Sequence, residues 1–166
     1  MVEVSLYGAG GKPDWFWKLN PKGEVPVIQT LDGSVVADSE QTLDYIADNF
    51  AKDMRGMSKE DMRLITAWRT CINNKLKPIG KRVVCGSERL DSLHKVLQEL
   101  EELVVTPCVV GHQFTVADAS AIPFFQRLEK EYELLKDYPR LSKWYKHTSS
   151  LEGVKSTFRS SWWWWW

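Results

Sequence analysis

Strand-type periodicity is confined to the first 37 residues of this chain, and every later stretch with an apolar rhythm has a helical one. Residues 2–7 alternate Val, Glu, Val, Ser, Leu and Tyr, the period-two pattern of a half-buried strand, and Gly8-Ala9-Gly10-Gly11 then breaks it. Those glycines have neither the GxGxxG nor the GxxxxGK spacing, so they read as a turn and not as a phosphate loop. Val25 to Thr30 and Ser34 to Ala37 read as two further strands, joined by Leu31-Asp32-Gly33-Ser34, whose Asp-Gly step is a hairpin signal. Behind a cap at Ser39, the residues Leu43, Ile46, Ala47 and Phe50 recur at i, i+3, i+4 and i+7, which predicts an amphipathic helix. Strands first and helices afterwards define an α+β chain: an α/β segment over residues 1–50 packed on an all-helical domain over residues 57–160.

Ala51 to Ser58 is polar, contains Gly56 and reads as a short linker. Ser58 and Asp61 form a capping pair ahead of Met62, Ile65, Trp68 and Ile72, and Pro78 with Gly80 is expected to interrupt or end that helix. A second long helix is predicted over about Arg89 to Val104, with Leu90, Leu93, Leu97, Leu100 and Leu103 along one stripe. In Gly111-His112-Gln113-Phe114-Thr115-Val116-Ala117-Asp118, Thr115 is placed to cap a helix while Asp118 reaches back, and Phe114 stands where a hydrophobic staple would. Tyr138-Pro139-Arg140-Leu141 with Trp144 and Tyr145 predicts a Pro-started helix.

Composition narrows the function classes. At 166 residues, 43% hydrophobic and 27% charged, this is an ordinary globular chain of one domain or two small ones. No run approaches the roughly 20 apolar residues of a membrane helix, and the start shows neither a secretory nor a transit pattern. A cytoplasmic location is expected, with a plastid one compatible if an N-terminal segment is missing. The formal charge of zero argues against a dedicated nucleic-acid binder. It conceals −5 over residues 1–50 and +5 over residues 51–166, opposite fields that favour docking of two modules. Cys71, Cys85 and Cys108 form no CxxC pair, and with His94, His112 and His147 they show no metal-ligand spacing, so reduced thiols and no metal are expected.

The stretch Lys12 to Ser39 says more. It contains Lys12-Pro13-Asp14-Trp15-Phe16, then Asn20-Pro21-Lys22-Gly23, Val25-Pro26 and Asp38-Ser39, in that order. This series resembles the glutathione site of the glutathione transferase superfamily, and the KPxWF…NPxGxVPV tract is similar to its cysteine-type branch of dehydroascorbate reductases, omega and lambda transferases. The Thr115 to Asp118 box resembles the folding box of that family's all-α domain. The resemblance covers about residues 2–158 and implies a truncated thioredoxin-like α/β segment followed by the all-α transferase domain. It further implies a glutathione site in which a cis Val25-Pro26 bond turns the Val25 main chain toward the cysteinyl backbone. Pro26 orients that step, Asp38 and Ser39 face the γ-glutamyl end at a helix N-terminus, and Lys12 faces the glycyl carboxylate.

The implied function is that of a glutathione-dependent transferase or thiol oxidoreductase of the dehydroascorbate reductase/omega type, with glutathione as co-substrate and a small electrophilic or oxidised second substrate. The first strand reads as the family's second, so the strand–helix unit that supplies the family's nucleophile is expected to be missing and the catalytic residue unknown. A weakened N-terminal half is expected to accompany it. Cys71 and Cys108 read as packing residues, while Cys85, after Lys81 and Arg82 and before Gly86, is the best outsider for reactivity. Lys75, Lys77, Lys81 and Arg82 read as a solvated helix face that could border a substrate cleft. The alternative is a non-catalytic transferase-like module for protein interaction; a homodimer or a protein partner fits either reading. Trp162 to Trp166, the tail over 161–166, has no helix or strand period and reads as an end segment outside the fold in preference to an interfacial anchor.

Overall fold

The computed structural model describes residues 11–158; the predicted strand over 2–7 and the tryptophan run Trp162 to Trp166 lie outside them. The chain divides into two compact units, residues 1–50 and 51–166.

In the first unit, α1 (Asp14–Leu19) follows Pro13, whose carbonyl accepts the Phe16 N–H at 2.9 Å. This helix escapes a periodicity reading because it is too short for one, and Phe16 is its buried residue. Next come β1 (Val27–Gln29) and β2 (Val35–Ala37), an antiparallel pair in the register Val27 to Ala37, Ile28 to Val36 and Gln29 to Val35. Both strands are shorter than expected from sequence. Thr30 and Ser34 close the hairpin through the Thr30 N–H to the Ser34 carbonyl at 2.9 Å, leaving a three-residue loop of Leu31, Asp32 and Gly33. Gly33 takes φ +87°, the left-handed position such a loop needs. An Asp32 carboxylate oxygen accepts the Ser34 N–H at 3.0 Å and the Thr30 hydroxyl.

Helix α2 (Ser39–Phe50) packs on both strands. Of its predicted apolar stripe only Ala47 is buried; Ile46 is 39% and Phe50 77% exposed. The i, i+4 pattern gave the helix correctly, but not which of its apolar residues are buried.

Among the described residues the second unit consists of helices and their connections, beginning with a 3-10 turn at Lys52–Arg55 inside the expected linker. Helix α3 (Lys59–Cys71) starts at the Ser58/Asp61 capping box: the Ser58 hydroxyl accepts the Asp61 N–H, and Asp61 Oδ2 accepts the N–H groups of Met57 and Ser58, each at 3.0 Å. Pro78 does not end this run. The chain passes through a π-helical turn at Ile72–Leu76 straight into α4 (Lys77–Val84), with Pro78 in the first turn, where a missing N–H costs little. The Lys77 N–H bonds the Ile72 carbonyl, the i to i−5 step of the wider turn.

Helix α5 (Asp91–Leu103) buries Leu93, Val96, Leu97 and Leu100. It packs against α3 and against α7 (Pro139–Ser150). Helix α6 (Val116–Tyr132) also lies on α3, and α8 (Glu152–Lys155) follows α7. At the centre Trp68, Phe125 and Trp144, all fully buried, form an aromatic triad, with Trp144 edge-on to Phe125 at 4.8 Å and to Trp68 at 5.3 Å between ring centroids. The expected box at the start of α6 forms: Asp118 Oδ2 accepts the Thr115 N–H at 2.8 Å and its hydroxyl at 3.1 Å.

Candidate functional site

The hairpin register brings the key residues to one end. Because Val27 pairs with Ala37, the residues just outside the ladder are Pro26 on one strand and Asp38 on the other, with Val25 and Ser39 one step further. Separations of twelve positions (Pro26 to Asp38) and fourteen (Val25 to Ser39) thus collapse to one end of the hairpin, which no local pattern could show.

On the first strand, a rigid turn leads into this end. Asn20 is buried; its carbonyl accepts the Gly23 N–H at 2.9 Å and its Nδ2 donates to the Glu24 carbonyl at 2.8 Å. Gly23 has φ +67°. The Val25–Pro26 bond is cis. Val25 is 46% exposed, and among the described residues no hydrogen bond uses its N–H or C=O. Among the described residues, a main-chain donor and acceptor therefore stand open for a ligand backbone to pair with.

On the second strand, Asp38 takes φ +80°, a left-handed conformation that Asp tolerates better than most residues. It, and not Ser39, is the cap of α2: Asp38 Oδ1 accepts the N–H of Glu40 at 2.8 Å and of Gln41 at 3.3 Å. Capping by Asp38 leaves the Ser39 hydroxyl unengaged among the described residues, at the positive end of a twelve-residue helix. One turn on, the buried Thr42 hydroxyl also has no hydrogen-bond partner among the described residues.

Lys12 is not a free turn lysine. Its Nζ stands 5.4 Å above the centre of the Trp17 ring, and its carbonyl accepts the Trp17 Nε1–H at 3.1 Å. The opposite requirement falls on Gly23, where a Cβ would come within 2.5 Å of Trp17 Cζ3. Sequence reasoning passed over Trp17, because its contacts with Lys12 and Gly23 form only once the loop is folded.

The thiols divide sharply. Cys71 and Cys108 are buried, and burial pushes their pKa values up, to about 11 for Cys71, helped by the nearby Glu99 charge, and to about 12 for Cys108, helped by Asp118. Neither is a usable thiolate near neutrality. Cys85 is exposed at the end of α4. The basic residues expected to form a solvated face are mostly engaged: Lys75 Nζ with both Glu99 oxygens at 2.6 and 2.8 Å, Lys77 over the Phe124 ring at 4.8 Å, and Arg82 Nε with Glu88 at 3.5 Å. His94 Nδ1 meets the Tyr138 hydroxyl at 2.8 Å. Among the described residues no three His, Cys, Asp or Glu side chains gather into a metal site, and no helix is long and apolar enough to cross a membrane.

Comparison with known proteins gives these features a family. The profile described as "Glutathione S-transferase, N-terminal domain" matches residues 1–49, and that described as "Glutathione S-transferase, C-terminal domain" matches residues 84–147. The chain belongs to the glutathione S-transferase superfamily. It is 30% identical over 138 residues to the rice protein (Oryza sativa subsp. japonica) "Probable glutathione S-transferase DHAR1, cytosolic", covering 82% of this chain and 63% of the relative. It is 25% identical over 155 residues to glutathione S-transferase omega-1 of Rattus norvegicus, covering 86% and 64%. The chain thus spans just under two thirds of the length of these relatives. The fold matches glutathione transferase Omega 3C of Trametes versicolor with a TM-score of 0.82 at 22% identity, over 96% of this chain and 77% of that one.

Proposed function

We propose that this chain binds glutathione at the open end of its hairpin and serves a glutathione-dependent transferase or thiol oxidoreductase reaction of the dehydroascorbate reductase/omega type. The observation that carries the reading is that Val25 and Ser39 flank the same end of the hairpin ladder and that, among the described residues, the Val25 main chain and the Ser39 hydroxyl at a helix N-terminus make no hydrogen bond. An extended tripeptide with a carboxylate at one end has both of the chemical features that these groups accept. Val25 pairs with the cysteinyl main chain, Pro26 orients it, Ser39 and the α2 N-terminus take the γ-glutamyl carboxylate, and Asp38 holds the helix start while offering its second oxygen to the ammonium. Lys12 takes the glycyl carboxylate.

As co-substrate, two glutathione thiols give two electrons and two protons to the oxidised substrate and leave as the disulfide. No residue among 11–158 is put forward as the nucleophile: Cys71 and Cys108 are held in the thiol form, and Cys85 belongs to the other compact unit. That same observation favours the second reading, a glutathione-binding interaction module that forms a homodimer or docks on a protein partner without catalysis.

Isothermal titration of glutathione into the chain and into Ser39→Ala tests the first reading. Saturable binding that Ser39→Ala weakens by about ten- to a hundredfold is expected for one lost hydrogen bond to a charged group. A folded chain that binds nothing at millimolar glutathione overturns it. Turnover of dehydroascorbate by a binding-competent chain separates enzyme from module.

A further inference from the structure

The Lys12–Trp17–Gly23 arrangement is more than a surface contact. Trp17 is 45% exposed, so its ring gains little from burial where it stands, yet three restraints fix it. Its Nε1–H closes the loop from Lys12 by bonding the Lys12 carbonyl at 3.1 Å. Its six-membered ring lies against the Cα of Gly23, in space that any Cβ would occupy, with Cζ3 and Cη2 at 2.5 and 2.7 Å from that position. Its face is covered by the Lys12 ammonium at 5.4 Å. One indole therefore joins the Lys12 arm to the turn that runs from Asn20 through Gly23 into Val25.

A lysine side chain on a flexible four-carbon stem otherwise samples many rotamers, and ordering it on binding an anion costs side-chain entropy. Holding the ammonium over an aromatic face meets part of that cost before a ligand arrives. The ring satisfies the cation without neutralising it, so its hydrogen-bonding protons stay available to a carboxylate. A salt bridge to a protein carboxylate would compete with the ligand; the indole does not.

We propose that Trp17 is a positioning residue that holds Lys12 for the glycyl carboxylate of glutathione, so that this chain selects the tripeptide over γ-glutamylcysteine, which lacks that group. The inference rests on the glutathione reading above and adds to it the residue that sets discrimination at the glycyl end.

The test is titration of glutathione and of γ-glutamylcysteine into the wild-type chain, Trp17→Leu, Lys12→Ala and the double variant, with circular dichroism to establish that each is folded. Trp17→Leu should weaken glutathione about two- to fivefold more than it weakens γ-glutamylcysteine. It should add no further loss in the Lys12→Ala background, because the indole acts through the lysine. Trp17→Phe, which keeps an aromatic face and loses the Nε1–H, should fall between wild type and Trp17→Leu. Equal losses for both ligands, or an undiminished effect of Trp17→Leu without Lys12, would overturn the assignment and leave Trp17 a structural residue, with the glutathione reading intact. Failure of the wild-type chain to bind either ligand overturns both. Equal affinity of the wild-type chain for the two ligands overturns the proposal and leaves the glutathione reading intact.

Discussion

The Trp144 indole Nε1–H donates to Asp118 Oδ1 at 2.8 Å, inside a region where both residues are fully buried. The same oxygen accepts the Val109 N–H at 2.9 Å, and Oδ2 accepts the Thr115 N–H and hydroxyl. One carboxylate thus pins α7 and the loop before α6 to the first turn of α6. Its cost is desolvation, which raises the Asp118 pKa against the lowering effect of these bonds. Asp118→Asn replaces an accepting oxygen with a donor that faces other donors, and should destabilise the second unit by about 2–4 kcal/mol. Trp144→Phe removes one of the four bonds and some packing, and should cost about 1–3 kcal/mol. Urea unfolding of the three proteins checks both; a near-neutral Asp118→Asn would contradict the account.

The two capping aspartates should respond to pH in opposite directions. Asp61 has its pKa lowered by the N–H groups of Met57 and Ser58, so its contribution is present above the unfolded carboxylate value and is lost as pH falls through the lower folded value. Asp118 has its pKa raised, so its contribution is present below the unfolded value and fades as pH rises through the folded one. Asp61→Asn should flatten the loss of stability below about pH 4, measured as denaturation midpoint against pH. The wild-type and variant curves keeping the same acid slope would exclude Asp61 as its source.

Two glycines in the first unit separate backbone conformation from crowding. Gly33 has φ +87° with open space around it, whereas Gly23 has φ +67° and the Trp17 ring against it. Gly33→Ala should cost about 1–2 kcal/mol from the left-handed backbone alone. Gly23→Ala should cost more and displace Trp17, seen as a shifted Trp17 indole resonance by NMR. Equal costs with an unmoved indole would show that the ring adapts freely.

Glu101 caps a helix it does not belong to. Its two oxygens accept the N–H of Arg140 and of Leu141, each at 2.8 Å, while Arg140 donates to the carbonyls of Glu102 and Val104 at the end of α5. Glu101→Gln keeps one acceptor and should cost about 0.5–1 kcal/mol, and Glu101→Ala about 1–2 kcal/mol. Thermal unfolding reads the order; the two variants losing equally would argue that the carboxylate makes only one useful bond.

The thiols should titrate in two classes. With an aromatic disulfide reagent at neutral pH, Cys85 should react in the native chain, while Cys71 and Cys108 wait for denaturant. A second rapid equivalent under native conditions would mean that one of the buried positions opens readily.

What could be read from the sequence was what short-range physics dictates. The Ser58/Asp61 and Thr115/Asp118 boxes involve partners three residues apart, so their chemistry is complete in a five-residue window. The Asp32-Gly33 turn is legible for the same reason, and so is the leucine stripe of α5, whose period matches the helix it makes. The order of turn, Val25-Pro26 and Asp38-Ser39 carried the family resemblance.

The tertiary structure decided the rest, because it depended on groups far apart in the chain meeting. The π-helical turn that lets α3 run past Pro78, the exposure of Ile46 and Phe50 on α2, and the burial that disables Cys71 and Cys108 follow from what each helix packs on. The candidate site needed the register of β1 on β2 before Val25 and Ser39 shared an end. Lys12 needed the fold of its own loop to stand over Trp17. Sequence alone determined which residues carry the recognition chemistry; only pairing and packing determined which of their groups were left open to use it.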